Sequence, residues 1–182
     1  ASDSSEVTVY GLPESAFSPA VAAGCPPLEV AFTNESSGTG TLNYIWDFGD
    51  NSDPSLEAAP AHIFEETGAY QVRLIAFDDA GCYSDTSTAT VTVYPEPVSS
   101  FELSEDTLCI GHDTLRFVDQ SVGGATRQWL IGGIDYTGGE VVIVPNAPGE
   151  FTARLIVNNT FGCPDTSEQT YTILPSPAAA FQ

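Results

Sequence analysis

Along much of the chain apolar residues fall at every second position, the spacing of strands with one buried face. Leu28, Val30 and Phe32 alternate with Glu29, Ala31 and Thr33. Tyr44, Trp46 and Phe48 alternate with Ile45 and Asp47, and the run stops at Gly49-Asp50-Asn51, residues that turn a chain. Tyr70, Val72, Leu74 and Ala76 then line one face of a longer strand, with Gln71 and Arg73 on the other, and Val91 and Val93 close the set. No stretch of ten or more residues has helical periodicity, so the pattern predicts an all-β protein. Trp46 is the expected plug of a β-sandwich core, with Phe48 and Tyr70 beside it.

The same plan recurs about 80–84 residues later. Phe17 matches Phe101, Cys25 matches Cys109, Trp46 matches Trp129, and Gly81-Cys82 matches Gly162-Cys163. Leu115, Phe117, Trp129, Phe151, Leu155, Val157, Tyr171 and Ile173 are the core positions of the second copy. Each copy reads as seven or so short strands with frequent turns, the immunoglobulin-like pattern. At the ends, Val7-Thr8-Val9-Tyr10 matches the last strand of a copy, Val91–Tyr94, and Ala178–Phe181 matches the first, Val98–Phe101. The expected division is therefore 1–12 from a preceding repeat or an N-terminal strand, 13–95 and 96–176 as two sandwiches, and 177–182 opening a further one. Either the chain is a window on a longer array or its end strands complete neighbouring subunits. With no leader-like segment at its start, it reads as a mature product or an excised fragment. Pro95-Glu96-Pro97 and Pro175-Ser176-Pro177 form stiff junctions, since proline fixes φ and extends the residue before it.

Charge narrows the partners. Asp and Glu number 25 against four Arg and no Lys, a net charge of −21. Such a surface repels nucleic acid and anionic membranes, where each phosphate contact needs a cationic side chain. Apolar runs last only a few residues, too short to span a bilayer as a helix. Four Cys and no Met fit an oxidising, extracellular setting. No catalytic set assembles: His62 and His112 occupy non-equivalent positions, and nucleophile-elbow, metalloprotease, P-loop and dinucleotide motifs are absent. The expectation is a non-enzymatic protein without an obligatory cofactor.

Trp46-Asp47-Phe48-Gly49-Asp50, followed by Pro60-Ala61-His62-Ile63-Phe64 and Gly68-Ala69-Tyr70-Gln71-Val72, resembles the polycystic kidney disease (PKD) domain family. The second copy departs from that pattern: Trp129-Leu130-Ile131-Gly132-Gly133 keeps the indole and loses both acids. Asp47 and Asp50 are read as caps of the tight turn, and His62 as a strand hydrogen-bonding residue. A front segment of Cys-Pro with alternating apolar residues and a rear Gly-Cys-x-Asp-Thr also resemble repeats in very large surface proteins of gliding bacteria. That resemblance implies an exported bacterial adhesin with sandwiches stacked head to tail as a stalk or filament, its partners being neighbouring repeats or identical subunits. The alternatives are a carbohydrate- or matrix-binding accessory of a secreted hydrolase, using surface aromatics such as Tyr10, Tyr83, Tyr94, Tyr136 and Phe161, or a filament subunit that polymerises by strand addition.

In such a sandwich Cys25 and Cys82 lie at opposite poles, and so do Cys109 and Cys163, about 20 Å apart. A disulfide needs Cα atoms within roughly 7 Å. An interdomain Cys25–Cys163 bridge is accordingly preferred over Cys25–Cys82 and Cys109–Cys163, which stay open as alternatives. Asn34, Glu35, Asp78 and Asp79 should meet at one pole, an oxygen-rich set able to hold calcium. The second copy places Asp119, Gln120, Asn158 and Asn159 there. Asn34-Glu35-Ser36 and Asn158-Asn159-Thr160 have the form of glycosylation acceptors. Asp106-Thr107-Leu108 and Asp113-Thr114-Leu115 resemble an O-glycosylation motif of bacterial surface proteins.

Overall fold

The computed structural model describes residues 11–111 and 114–176. The end strands expected at 7–10 and 178–181, together with His112 and Asp113, lie outside these residues. The chain divides after Tyr94 into two compact units. Among the described residues each is built of strands, and none is helical.

In the first unit, β1 (Phe17–Pro19), β3 (Leu28–Asn34) and β5 (Ala61–Phe64) form one sheet in the order β1-β3-β5. The other sheet has the order β2-β7-β6-β4, from β2 (Ala23–Gly24), β4 (Leu42–Asp47), β6 (Gly68–Asp78) and β7 (Ser87–Val93). Pairings are antiparallel except β2 with β7, which is parallel. The inward faces share one core of Val30, Phe32, Trp46, Phe64, Val72, Leu74 and Val91. Trp46 has no exposed surface, lies 5.0 Å from the Phe17 ring and 5.6 Å from Phe32, and donates its indole N–H to the Glu57 carbonyl at 2.9 Å. That bond ties the irregular segment after β4 to the core, because a buried indole N–H needs an acceptor.

The second unit repeats the arrangement. β8 (Phe101–Leu103), β10 (Leu115–Asp119) and β13 (Glu140–Ile143) form a sheet in the order β13-β10-β8. β9 (Thr107–Cys109), β11 (Thr126–Ile131), β12 (Ile134–Thr137), β14 (Gly149–Asn158) and β15 (Pro164–Leu174) form the other, in the order β12-β11-β14-β15-β9. Trp129 is fully buried between Phe101 and Phe117, and its indole donates to the Gly138 carbonyl at 2.9 Å. Tyr70 and Phe151 are half-buried and pack on the margins of their cores rather than inside them.

Two features of the fold go beyond the alternation pattern. The opening strand of each unit is split between sheets: β1 pairs with β3, and three residues later β2 runs parallel to the end of β7. The pairing of β1 with β3 runs one bond past Pro19, the Ala20 N–H donating to the Ala31 carbonyl at 2.8 Å, before the chain crosses to the other sheet. The second unit also has a hairpin where the first has a loop. Gly132 and Gly133, at φ of 58° and 82°, make a two-residue turn joining β11 to β12. The first unit carries acids there, and its chain leaves the sheet after one isolated bridge between Trp46 and Ser55.

Candidate functional site

The acidic turn after β4 is held by its own side chains. Asp47 Oδ1 accepts the Gly49 N–H at 2.9 Å, and Asp50 Oδ1 accepts the Ser52 N–H at 3.0 Å and the Ser52 hydroxyl at 2.5 Å. Such Asx turns let the chain reverse at Gly49, whose φ is 79°. The other oxygen of Asp50 meets His62 Nε2 at 2.6 Å. The His62 ring lies flat on Phe48, centroids 4.0 Å apart and 4° from parallel, with Phe64 at its edge and Tyr70 stacked beyond. An aromatic column thus caps this end of the core, and the Asp50–His62 contact clamps the turn to β5. The Asp50 partner of His62 is not readable in the sequence, where the two stand 12 residues apart with no periodic relation.

Burial would raise the Asp50 carboxyl, but hydrogen bonds from Ser52 and His62 outweigh it and hold the group below its ordinary value of 3.8. Asp119 behaves alike: burial pushes it up, and Ser121 with Arg127 more than offsets this. A carboxyl depressed by folding stabilises fully above its unfolded pKa, and the contribution is lost as pH falls through the folded value. The melting temperature is expected to drop on acidification below about pH 4. Asp50→Asn should shallow that drop without abolishing it, since Asp119 still titrates. A scanning calorimetry series from pH 7 to pH 2.5 on both proteins checks this; superimposable pH slopes would sink it.

Asn34, Glu35, Asp78 and Asp79 share a pole, but each is engaged locally. Asn34 donates to the Ala58 carbonyl and accepts the Ser36 N–H, and Glu35 accepts the Ser18 hydroxyl. Asp78, 6% exposed, accepts the Cys82 N–H at 2.9 Å, while Asp79 accepts from Asn43. Among the described residues no group of three His, Cys, Asp or Glu is placed to hold a metal ion. In the second unit Asn159 takes the place of Asp78, its Oδ1 accepting the Phe161 and Cys163 N–H groups at 2.8 and 2.9 Å. An amide oxygen does the same work as the carboxylate, so capping the turn accounts for the residue without a cation.

The cysteines fall into two structural kinds. Cys25 follows β2, where Gly24 pairs with Val93 and its carbonyl accepts the Tyr94 N–H at 2.8 Å, the point at which the chain leaves the first unit. Cys109 stands alike, at the end of β9 opposite Leu174. Cys82 and Cys163 sit in the turns β6–β7 and β14–β15, each carbonyl accepting the main-chain N–H of Asp78 or Asn159 and each N–H donating to that residue's side-chain oxygen. Cys25 and Cys82 are thus at opposite ends of the seven-residue β7, and Cys109 and Cys163 at opposite ends of the 11-residue β15. At about 3.3 Å per residue no bridge spans either strand. Cys25 and Cys163 each stand in a disulfide, whereas Cys82 and Cys109 are free thiols, half-buried and exposed respectively.

Two of the aromatics weighed as a glycan platform are engaged within their own units. Tyr83 is 55% exposed but stacks on Phe77, and Tyr136 packs against the second core. Tyr10 lies outside the described residues. At the β15 end of the second unit, Ile131, Ile143 and Pro145 stand where the first unit has Phe48, His62 and Phe64. The smaller side chains leave a cavity of about 140 Å³, with Tyr136, Phe151 and Tyr171 on its wall. Burial, with Tyr136 nearby, holds the Tyr171 phenol above its usual range.

Residues 13–93 match the family model for the PKD domain. The PKD1 domain of the Vibrio cholerae metalloprotease PrtV is similar over 99% of its length and 46% of this chain, with 35% identity and a TM-score of 0.40. The chain belongs to the PKD domain family. Collagenase ColQ1 of Bacillus cereus (strain Q1) is 48% identical over 52 residues, a stretch that makes up 29% of this chain and 5% of the collagenase. An I-band fragment of titin shares the fold at 14% identity, over 92% of this chain and 67% of the fragment, with a TM-score of 0.50. The matched PKD segment contains the acidic turn, the aromatic column and the first two cysteines.

Proposed function

We propose that the chain is a non-catalytic module of an exported bacterial protein, two PKD-type sandwiches that act as a stiff spacer held by a Cys25–Cys163 staple across the Tyr94–Pro95 junction. The observation that carries this reading is the oxidation pattern: Cys25 and Cys163 are each oxidised to a disulfide, and Cys82 and Cys109 are free thiols. Each oxidised cysteine lies at the junction end of its own unit. Cys25 is beside Tyr94, where the first sandwich ends; the Cys163 turn is where the second begins, with Asn159 donating to the Pro95 carbonyl and Asp165 accepting the Ser99 N–H. The disulfide chemistry and the likeness to a stretch of a Bacillus cereus collagenase both support an extracellular location. A staple across a proline junction restricts bending, and restricted bending suits a stalk that transmits load between its ends.

Tryptic mapping without reduction tests the staple. Cleavage after Arg73, Arg116, Arg127 and Arg154 puts Cys25 on residues 1–73, Cys163 on 155–182, and both other cysteines on 74–116. The expected product is 1–73 linked to 155–182 alone. Linkage of 1–73 to 74–116 would refute it.

The collagenase likeness also favours a second reading, an accessory module that holds a secreted hydrolase on an insoluble matrix. Retention of the purified chain on collagen or polysaccharide would support it, and elution with the void volume would favour the spacer.

A further inference from the structure

The 140 Å³ cavity of the second unit joins an apolar wall to one unsatisfied polar group. Ile131, Ile134, Ile143 and Val144 supply aliphatic surface, and Phe151 and Tyr171 supply stacked rings, 5.6 Å between centroids and 23° from parallel. Tyr171 is 3% exposed, and among the described residues its hydroxyl has no hydrogen-bond partner. That hydroxyl stands on the Gly132 side of the cavity, 3.9 Å from where a Cβ on the glycine would lie. Buried ring donors normally find a partner, because an unmade hydrogen bond costs the desolvation of the group. Trp46, Trp129 and Tyr70 follow the rule, each donating to a main-chain carbonyl at 2.9, 2.9 and 2.6 Å. Tyr171 does not.

The first unit has a pocket at its matching end, but of another character. Asp50, Glu65 and Glu66 border it, and the Tyr70 hydroxyl on its wall is already spent on the Glu66 carbonyl. Among the described residues no carboxylate lines the second unit's cavity. A cation entering there would shed its water with no counter-charge to receive it. An anion would meet a chain of net charge −21. A neutral ring meets neither penalty. Size points the same way: a cavity of about 150 Å³ lined by Leu, Ile and Phe accepts benzene, so this one suits a single six-membered ring.

We propose that this cavity is a binding site for a small neutral phenol, whose ring lies among the isoleucines and against Phe151 and whose hydroxyl pairs with that of Tyr171. Burial, with Tyr136 nearby, keeps the Tyr171 phenol protonated through the neutral range, so it acts as the donor and the ligand oxygen accepts. The ligand's own proton is then left for solvent at the open side of the cavity. Ring burial supplies the affinity, and the hydroxyl pair selects a phenol over a plain hydrocarbon of the same size. Nothing in this site depends on the Cys25–Cys163 staple or on the spacer role.

The test titrates the full chain, labelled at its isoleucine methyl groups, with p-cresol, toluene and benzoate, and follows the methyl resonances by NMR. With p-cresol the Ile131 and Ile143 signals should shift saturably, while Ile63, in the first unit's pocket, stays in place. No saturable shift up to the solubility limit of p-cresol, or an equal response at Ile63, overturns the proposal, as does benzoate binding as tightly as p-cresol. Tyr171→Phe keeps the stacked ring and removes the hydroxyl alone; it should weaken p-cresol about fivefold and leave toluene no weaker. Equal losses for both ligands, or none for p-cresol, would show that the hydroxyl takes no part. Ile143→Phe, which sets a ring in the cavity, should abolish binding of both, with the first unit's methyl spectrum and the Ile131 signal reporting that the chain remains folded. Undiminished binding by that variant would place the ligand elsewhere and refute the site.

Discussion

Replacing Trp46 with alanine is expected to lower the stability of the first sandwich by about 3–5 kcal/mol, enough to unfold many domains of this size. The indole has no exposed surface and reaches from its own sheet to two rings of the facing one, so its removal leaves a cavity between the layers. It also frees the Glu57 carbonyl, and with it the tie that holds the segment after β4 against the core. Trp46→Phe should cost less, since it retains an aromatic filler and loses only bulk and the N–H donor. Urea denaturation followed by circular dichroism measures both variants, and the fluorescence of Trp129 reports on the second sandwich in the same samples. A loss below about 1 kcal/mol for the alanine variant would show that the core is not centred on this ring.

Gly49→Ala should have the next largest effect, about 2–4 kcal/mol, through two causes that add. The φ of 79° lies in the left-handed region, which disfavours a side chain. A Cβ there would also stand 2.7 Å from the Gln71 carbonyl oxygen, a main-chain atom of β6 that cannot swing aside. Gly40, with φ of 81° and open space around it, provides the control. Gly40→Ala bears the conformational strain alone and should cost about 1–2 kcal/mol. Equal losses at the two positions would mean that the approach to β6 contributes nothing. Thermal melts of the two variants in parallel decide between these outcomes.

Other parts of the molecule were legible to different degrees. The Trp129 strand could be placed from alternation and the 83-residue repeat, because a strand's faces follow from the two-residue period alone. The Asp47 and Asp50 turn caps were equally readable, since an Asx turn joins residues two apart in sequence. The Asp50–His62 contact was not, because it depends on β5 folding back beside the turn. The acids at the end of β6 are a different case. Topology brings Asn34, Glu35, Asp78 and Asp79 to one pole, but proximity at that scale does not aim oxygens at a common point, and each is taken by a nearby N–H or hydroxyl group.

The sequence by itself determined the all-β class, the two-copy organisation, the two indoles and the acidic turn, all of which rest on periodicity or on contacts between near neighbours. Only the tertiary structure decided that the opening strand of each unit divides between sheets, that His62 closes an aromatic column, and that the smaller residues of the second copy leave a cavity at its β15 end. It also decided which thiols stand at which pole, because β2 and β9 run alongside strands some 65–70 residues away in the chain. These outcomes depend on which surfaces meet after the chain has collapsed, and residues distant in sequence carry no local signal of that meeting.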